Sequence, residues 1–261
     1  VNRNAGPRVA FVIGGVQKAG TSALARYLAA HPGLALPVGK EAHVFDAAGF
    51  DEAWTPEAVD ARYAAHFGAG DAGRLHGDAT PNYALHPRFV QRIHRYNPRM
   101  RWILILRHPV ERLLSNYHME RGWGRETLPL WRALLLEKRR LAGHMDDFAE
   151  ESPLRRCSYR LRSDYARQLD QVLARFPAEQ VLVLRTEDLA ERPAETYART
   201  CGFLGVPVPE ALPAFERVFE GSYRLPPRDG LRWRLLSWWL RRELRAMDRR
   251  YGLRWHDEAG S

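Results

Sequence analysis

Apolar positions fall in short blocks along this chain, and their spacing alternates between two patterns. The run Val9-Ala-Phe-Val-Ile13 stops at Gly14-Gly15 and predicts a strand over 8–14. Ala23, Leu24, Tyr27 and Leu28 then recur at helical spacing and predict a helix over 21–31. Thr55-Pro56-Glu57 supplies an N-cap, a first-turn proline and a first-turn acid for a helix reaching about Phe67. A short strand follows at Leu75–Asp78, then a helix through Phe89–Ile93 and the strand Arg101-Trp-Ile-Leu-Ile-Leu-Arg107. Pro109 opens another helix. Residues 127–176 read as a helical middle with a polar, irregular stretch at 140–160. The last strand is expected at 180–185, with helices from there to the end. Strands alternating with helices predict an α/β fold: a single-domain, P-loop-like three-layer α/β/α arrangement around a central parallel sheet, with right-handed crossovers. Functional loops are then expected at the carboxyl ends of the strands.

The chain has 261 residues, 45% of them hydrophobic, which suffices for one α/β core. One domain over 1–261 is expected, with a core at about 8–206 and a C-terminal lid loop and helix at about 207–256. No apolar run approaches a membrane span, and Val1-Asn-Arg-Asn-Ala-Gly-Pro-Arg8 has no apolar signal region. Two cysteines, Cys157 and Cys201, make no disulfide framework and point to a reducing, cytoplasmic location. Net charge is +9, carried almost wholly by arginine, since Lys18, Lys40 and Lys138 are the only lysines. Such a bias fits a GC-rich, bacterial coding sequence. The charge serves a solvated surface and can steer anionic ligands. Zinc spacing, a heptad-linked basic region and an RNA-binding aromatic signature are all missing, so no nucleic-acid partner is expected. His43, His66, His76 and His86 lack metal-ligand spacing, so no metal is expected either. In Leu231-Arg-Trp-Arg-Leu-Leu-Ser-Trp-Trp-Leu-Arg-Arg-Glu-Leu-Arg-Ala-Met247, Trp, Leu and Arg alternate at helical spacing. The expected use is a last helix docking on the core with arginine stems over its rim. A membrane-surface helix is the alternative.

The chemistry concentrates where the first strand meets the first helix. Gly14-Gly15-Val-Gln-Lys18-Ala19-Gly20-Thr21-Ser22 combines glycines, one lysine, two hydroxyls and a helix start, which together make a phosphate cradle. Gly15, Gly20 and Ser22 have the spacing of the nucleoside-triphosphate loop, but Thr21 stands in the lysine position. The Arg101–Arg107 strand ends in arginine, where a Mg²⁺-holding aspartate would be needed. The site therefore reads as one for a nucleotide whose charge is met by protein cations alone. Arg107 at the strand tip and Ser115, about two turns along the following helix, could hold one phosphate by charge and hydroxyl. Arg107 could equally pair with Glu111 or Asp78, and Glu41 with Lys40.

These two motifs resemble those of sulfotransferases that use 3′-phosphoadenylyl sulfate (PAPS). Lys18, Ala19, Gly20, Thr21 and Ser22 resemble the 5′-phosphosulfate loop, and Arg107 to Ser115 the 3′-phosphate motif. Lys40-Glu-Ala-His-Val-Phe-Asp46 resembles the carbohydrate, heparan sulfate sulfotransferase-like branch. That resemblance implies Glu41 as general base, supported by His43 and Asp46, and Lys18 on the leaving oxygen. Asp78-Ala-Thr80-Pro81-Asn-Tyr83 resembles a segment bordering the acceptor cleft, with Ala79 where the family usually has lysine. Ser163-Asp-Tyr165, Phe176-Pro177 and Gln180–Leu189 match as well. Thr80, Pro81, Tyr83 and Tyr165 are the implied acceptor-side residues, and 140–160 an implied acceptor-side loop. The likeness covers roughly 8–206. Beyond it, Gly221–Gly230 stands where the family closes a loop over the adenosine, and Tyr223, Arg224 and Arg228 are the expected lid residues. The implied partners are the nucleotide donor, released as adenosine 3′,5′-bisphosphate, and a hydroxyl-bearing carbohydrate or glycosylated metabolite. A P-loop kinase-like phosphotransferase and a non-catalytic binder of anionic polymers are the competing classes.

Overall fold

The computed structural model describes residues 8–216 and 223–255. The chain gathers into two compact units: Val1–Leu106 with Asp170–Phe219, and Arg107–Leu169 with Glu220–Ser261.

The first unit is built on five parallel strands in the order β2-β3-β1-β4-β5. These are β1 (Val9–Gly15), β2 (Leu34–Ala35), β3 (Leu75–Asp78), β4 (Arg101–Leu106) and β5 (Val181–Arg185). Six of the seven residues of β1 are buried and hydrophobic or glycine, as expected for a central strand covered on both faces. Parallel strands need crossovers. Here these carry α1 (Thr21–Ala29), α2 (Pro56–Tyr63) and α3 (Pro87–Tyr96). Thr55 caps α2 as read from sequence, its side chain accepting from Ala58 N at 3.3 Å. That helix stops at Tyr63, and a 3-10 turn covers Ala64–His66, so the predicted reach to Phe67 is shortened. The strand β2 is absent from the sequence reading, because a two-residue strand has no periodicity. After β5 come α8 (Thr186–Glu191) and α9 (Pro193–Leu204). The α/β fold with a central parallel sheet and flanking helices is thus as expected.

The second unit is helical: α4 (Pro109–Gly122), α5 (Leu130–Leu141), α6 (Pro153–Arg156), the start of α7 (Tyr165–Leu173), α10 (Leu231–Trp239) and α11 (Arg241–Tyr251). Its core joins Val110, Leu113 and Tyr117 of α4 to Leu130 and Leu134 of α5 and to Trp233 and Leu236 of α10. Arg112 is fully inside it, donating to Ser163 Oγ at 3.0 Å, to Asn116 Oδ1 at 3.2 Å and to the Tyr159 carbonyl. The C-terminal helix docks through Trp233 and Leu236, while Leu231, Leu235 and Trp238 on its other side are exposed. It breaks at Leu240 into two helices rather than running on as one. Of the expected lid loop, Gly221 and Ser222 lie outside the described residues, as do Val1–Pro7.

Candidate functional site

In the first unit the cradle follows β1 directly. A Cβ on Gly14 would lie 2.5 Å from the Trp102 ring, so the strand exit needs glycine. The N-cap of α1 is Gly20, in the left-handed region at φ 95°. No side chain caps this helix and no acid lies in its first turn, which leaves its positive end for an external anion. Thr21 is buried, and the Thr186 hydroxyl fastens the loop from behind, donating to Ala19 O at 2.6 Å.

A chain of charged side chains runs beside this helix start. Lys40 Nζ lies 3.3 Å from Thr21 Oγ1 and 2.6 Å from Glu41 Oε1. Glu41 Oε2 in turn lies 3.1 Å from His43 Nε2, and His43 Nδ1 lies 3.0 Å from Asp46 Oδ2. Asn82 Nδ2 donates to the same Asp46 oxygen at 3.1 Å. Both ring nitrogens of His43 face carboxylates, so both must carry protons. Burial opposes that charge, but hydrogen bonds to Asp46 and Glu41 outweigh it and raise the imidazolium pKa to about 10. Burial likewise pushes Glu41 up, yet His43 and Lys40 together hold it below the ordinary carboxylate range. Glu41 is therefore an ionised, acceptor-only group at neutral pH.

Asp78 lies beneath this chain, fully buried at the end of β3. Its Oδ2 accepts from Tyr63 at 2.8 Å and Tyr83 at 2.5 Å. Its Oδ1 accepts from Thr80 at 2.8 Å and from Ala42 N at 3.3 Å. Burial raises its pKa against the pull of these donors. Thr80 Oγ1 also meets His43 N at 3.3 Å, and Tyr83 OH meets Val44 N at 3.1 Å. Thr80, Pro81 and Tyr83 are buried, and the two hydroxyls serve to pin the 41–46 loop to β3. From the sequence, Lys40 was open only as a partner of Glu41, which it is, and Asp78 as a partner of Arg107, while Asn82 had no role. Tyr63 was missed altogether, because its partner lies in a separate element. The available signal was an acid at a strand terminus followed by Thr and Tyr.

The three non-glycine residues with positive φ among the described residues lie in the cradle, Lys18 (73°), and in this cluster, Lys40 (79°) and His43 (53°). Such backbones are costly for L-residues and gather at functional sites.

In the second unit, Arg107 follows the end of β4 and precedes α4. Its Nε and Nη2 lie 3.0 and 2.9 Å from Glu111 Oε2, so of the two pairings open in the sequence the structure has Glu111. Glu111 Oε1 meets Arg228 Nη2 at 2.9 Å. One carboxylate thus joins two of the expected nucleotide-binding arginines. Burial raises the Glu111 pKa, but Arg228 and Arg107 outweigh it and leave it low. Tyr165 is fully buried and donates to Arg107 O at 2.9 Å, so it holds the Arg107 backbone within this unit. Ser115 is buried in α4. Tyr223 stacks on His118, with ring centres 4.6 Å apart and planes 11° apart, and Arg224 is exposed. Among the described residues no group of three His, Cys, Asp or Glu could hold a metal ion, and no helix is long and apolar enough to cross a membrane.

A family model for the sulfotransferase domain matches residues 9–217. The chain is 29% identical over 201 residues to heparan sulfate glucosamine 3-O-sulfotransferase 3B1 of Homo sapiens, covering 75% of this chain and 45% of that protein. It is 30% identical over 201 residues to heparan sulfate glucosamine 3-O-sulfotransferase 6 of Mus musculus, covering 75% and 52%. The chain thus spans about half the length of these curated relatives. A crystal structure of a sulfotransferase from Alicyclobacillus acidocaldarius superposes with a TM-score of 0.73 at 30% identity, over 93% of this chain and 95% of that one.

Proposed function

The chain belongs to the sulfotransferase family, and from that premise we propose that it transfers the sulfuryl group of PAPS to a hydroxyl, on a carbohydrate or glycosylated metabolite, as a single sulfotransferase domain. The observation that carries this reading is the contact of Lys40 with both Thr21 at the start of α1 and Glu41. It joins an uncapped, anion-ready helix end to an ionised carboxylate able to accept a proton. The glycine cradle and the cations also fit a nucleotide bearing several acidic groups.

In this reading the N–H groups and hydroxyls at Gly20–Ser22 hold the 5′-phosphate, and Lys18 neutralises charge on the leaving oxygen. Arg107 and Ser115 take the 3′-phosphate, with Tyr223, Arg224 and Arg228 toward the adenosine. PAPS supplies an activated sulfur–oxygen bond. The acceptor oxygen bonds to sulfur as the bridge to the 5′-phosphate breaks, and that electron pair stays with the phosphate. The acceptor proton goes to Glu41, an assistance worth ~10²–10⁴ in rate. His43 and Asp46 orient Glu41, and Thr80 and Tyr83, too buried for the acceptor contact expected of them, support that side by pinning the 41–46 loop, as buried Tyr165 holds the Arg107 backbone. The two human and mouse relatives are named for heparan sulfate glucosamine, which makes an amino sugar polymer the first acceptor to try.

The test pairs binding with transfer. Adenosine 3′,5′-bisphosphate should raise the melting temperature well above the shift given by ATP with Mg²⁺. Glu41→Gln should keep that shift and lose transfer of labelled sulfate from PAPS to heparan-type saccharides. Equal shifts by the two nucleotides would count against the 3′-phosphate role, and full transfer by Glu41→Gln against the base.

A further inference from the structure

Lys40 is more than the counter-ion of its neighbour. Its ammonium has three donors, of which Glu41 and Thr21 take two. Its side chain is only 21% exposed. Its backbone is pinned on both sides: the N–H donates to Pro37 O at 2.9 Å and the carbonyl accepts from Ala79 N at 3.4 Å. It is held in the left-handed region at φ 79°, directly after Gly39 at 88°. A surface ion pair between adjacent residues needs neither a pinned nor a left-handed backbone. What this backbone does is aim the ammonium at the start of α1.

We propose that Lys40 is a second catalytic cation, donating to the non-bridging oxygens of the sulfuryl group during its transfer. This rests on the donor reading given above. Thr21 belongs to the donor loop and Glu41 receives the acceptor proton. A group touching both therefore lies along the line on which sulfur passes from leaving oxygen to acceptor oxygen. Lys40 keeps its own proton throughout. The O–S bond forms, the bridging S–O bond breaks toward the 5′-phosphate, and Glu41 takes the acceptor's proton. As Lys40 turns to the sulfuryl oxygens it loosens its hold on Glu41, so the carboxylate becomes a better base when the donor is bound. Lysine is apt here because a compact charge on a flexible stem can shift between two anions.

Adenosine 3′,5′-bisphosphate lacks the sulfuryl group, and this separates the proposal from a structural role. Calorimetric titration of both nucleotides should show Lys40→Met weakening PAPS about tenfold, the loss of one charge-assisted hydrogen bond. The bisphosphate should move less than about twofold. Lys40→Arg should restore part of the PAPS affinity. Equal weakening of both nucleotides, or no change in either, would overturn the assignment. Should Lys40→Met fail to fold by circular dichroism, Lys40→Gln carries the same comparison. A wild-type protein that binds neither nucleotide would overturn the donor reading itself. One that binds both while Lys40→Met leaves their ratio intact removes only Lys40.

Discussion

His43 shows how single residues set the working state of the site. Its imidazole is clamped between Glu41 and Asp46, and its pKa rises from 6.5 to about 10. A pKa raised on folding stabilises the native state fully below the unfolded value, and the stabilisation is lost as pH climbs through the folded one. The melting temperature difference between wild type and His43→Gln should therefore be largest near pH 6 and shrink as pH passes about 10. A difference that grows toward alkaline pH would contradict the clamp. Glu41 works in the opposite sense: its lowered pKa stabilises above the ordinary carboxylate range and the benefit fades only in acid. Much of this was legible in the chain, because Lys40, Glu41, His43 and Asp46 are close neighbours in sequence. The Asp78 hub was not, since Tyr63 reaches it across 15 positions and Asn82 reaches Asp46 across 36. Hydrogen bonds between elements leave no periodicity to read.

Among the elements, β1 and β3 show how closely backbones must approach to place these loops. Phe11 of β1 stands opposite Gly77 of β3, and a Cβ on Gly77 would come within 2.1 Å of the Phe11 ring. Gly77→Ala should cost about 1–3 kcal/mol by overpacking. It should lower the urea midpoint without changing the slope of the transition. A midpoint equal to wild type would mean that the ring swings aside freely. Strands β3, β4 and β5 appear within a residue of their expected places, because their apolar blocks are bounded by glycine, charge or proline. The helical middle is interrupted where a polar, irregular stretch was expected, between the end of α5 at Leu141 and the short α6 at Pro153–Arg156. Gly143 at φ 77° follows the end of α5, and Ser152 caps α6 before Pro153. Glycine and Ser-Pro are the punctuation that makes such a stretch legible in the sequence.

Over the whole molecule, the sheet unit carries Lys18, Glu41 and His43, and the helical unit carries Arg107, Ser115 and Arg228. The division was not legible beforehand, because Arg107 follows Leu106 without any break in the sequence pattern. The carboxylate of Glu111 gives the helical unit a resident counter-ion for both Arg107 and Arg228. If these arginines take the nucleotide's phosphate as proposed, it would exchange with an internal anion instead of displacing a cloud of chloride. Affinity for adenosine 3′,5′-bisphosphate should fall gently between 50 and 300 mM NaCl (~10 Å screening length at 0.1 M). In Glu111→Gln the same titration should start tighter and fall more steeply. Parallel salt slopes would mean that those arginines never meet the nucleotide. A protein built this way would keep its grip on the donor through wide swings of ionic strength, because its anion store is covalent.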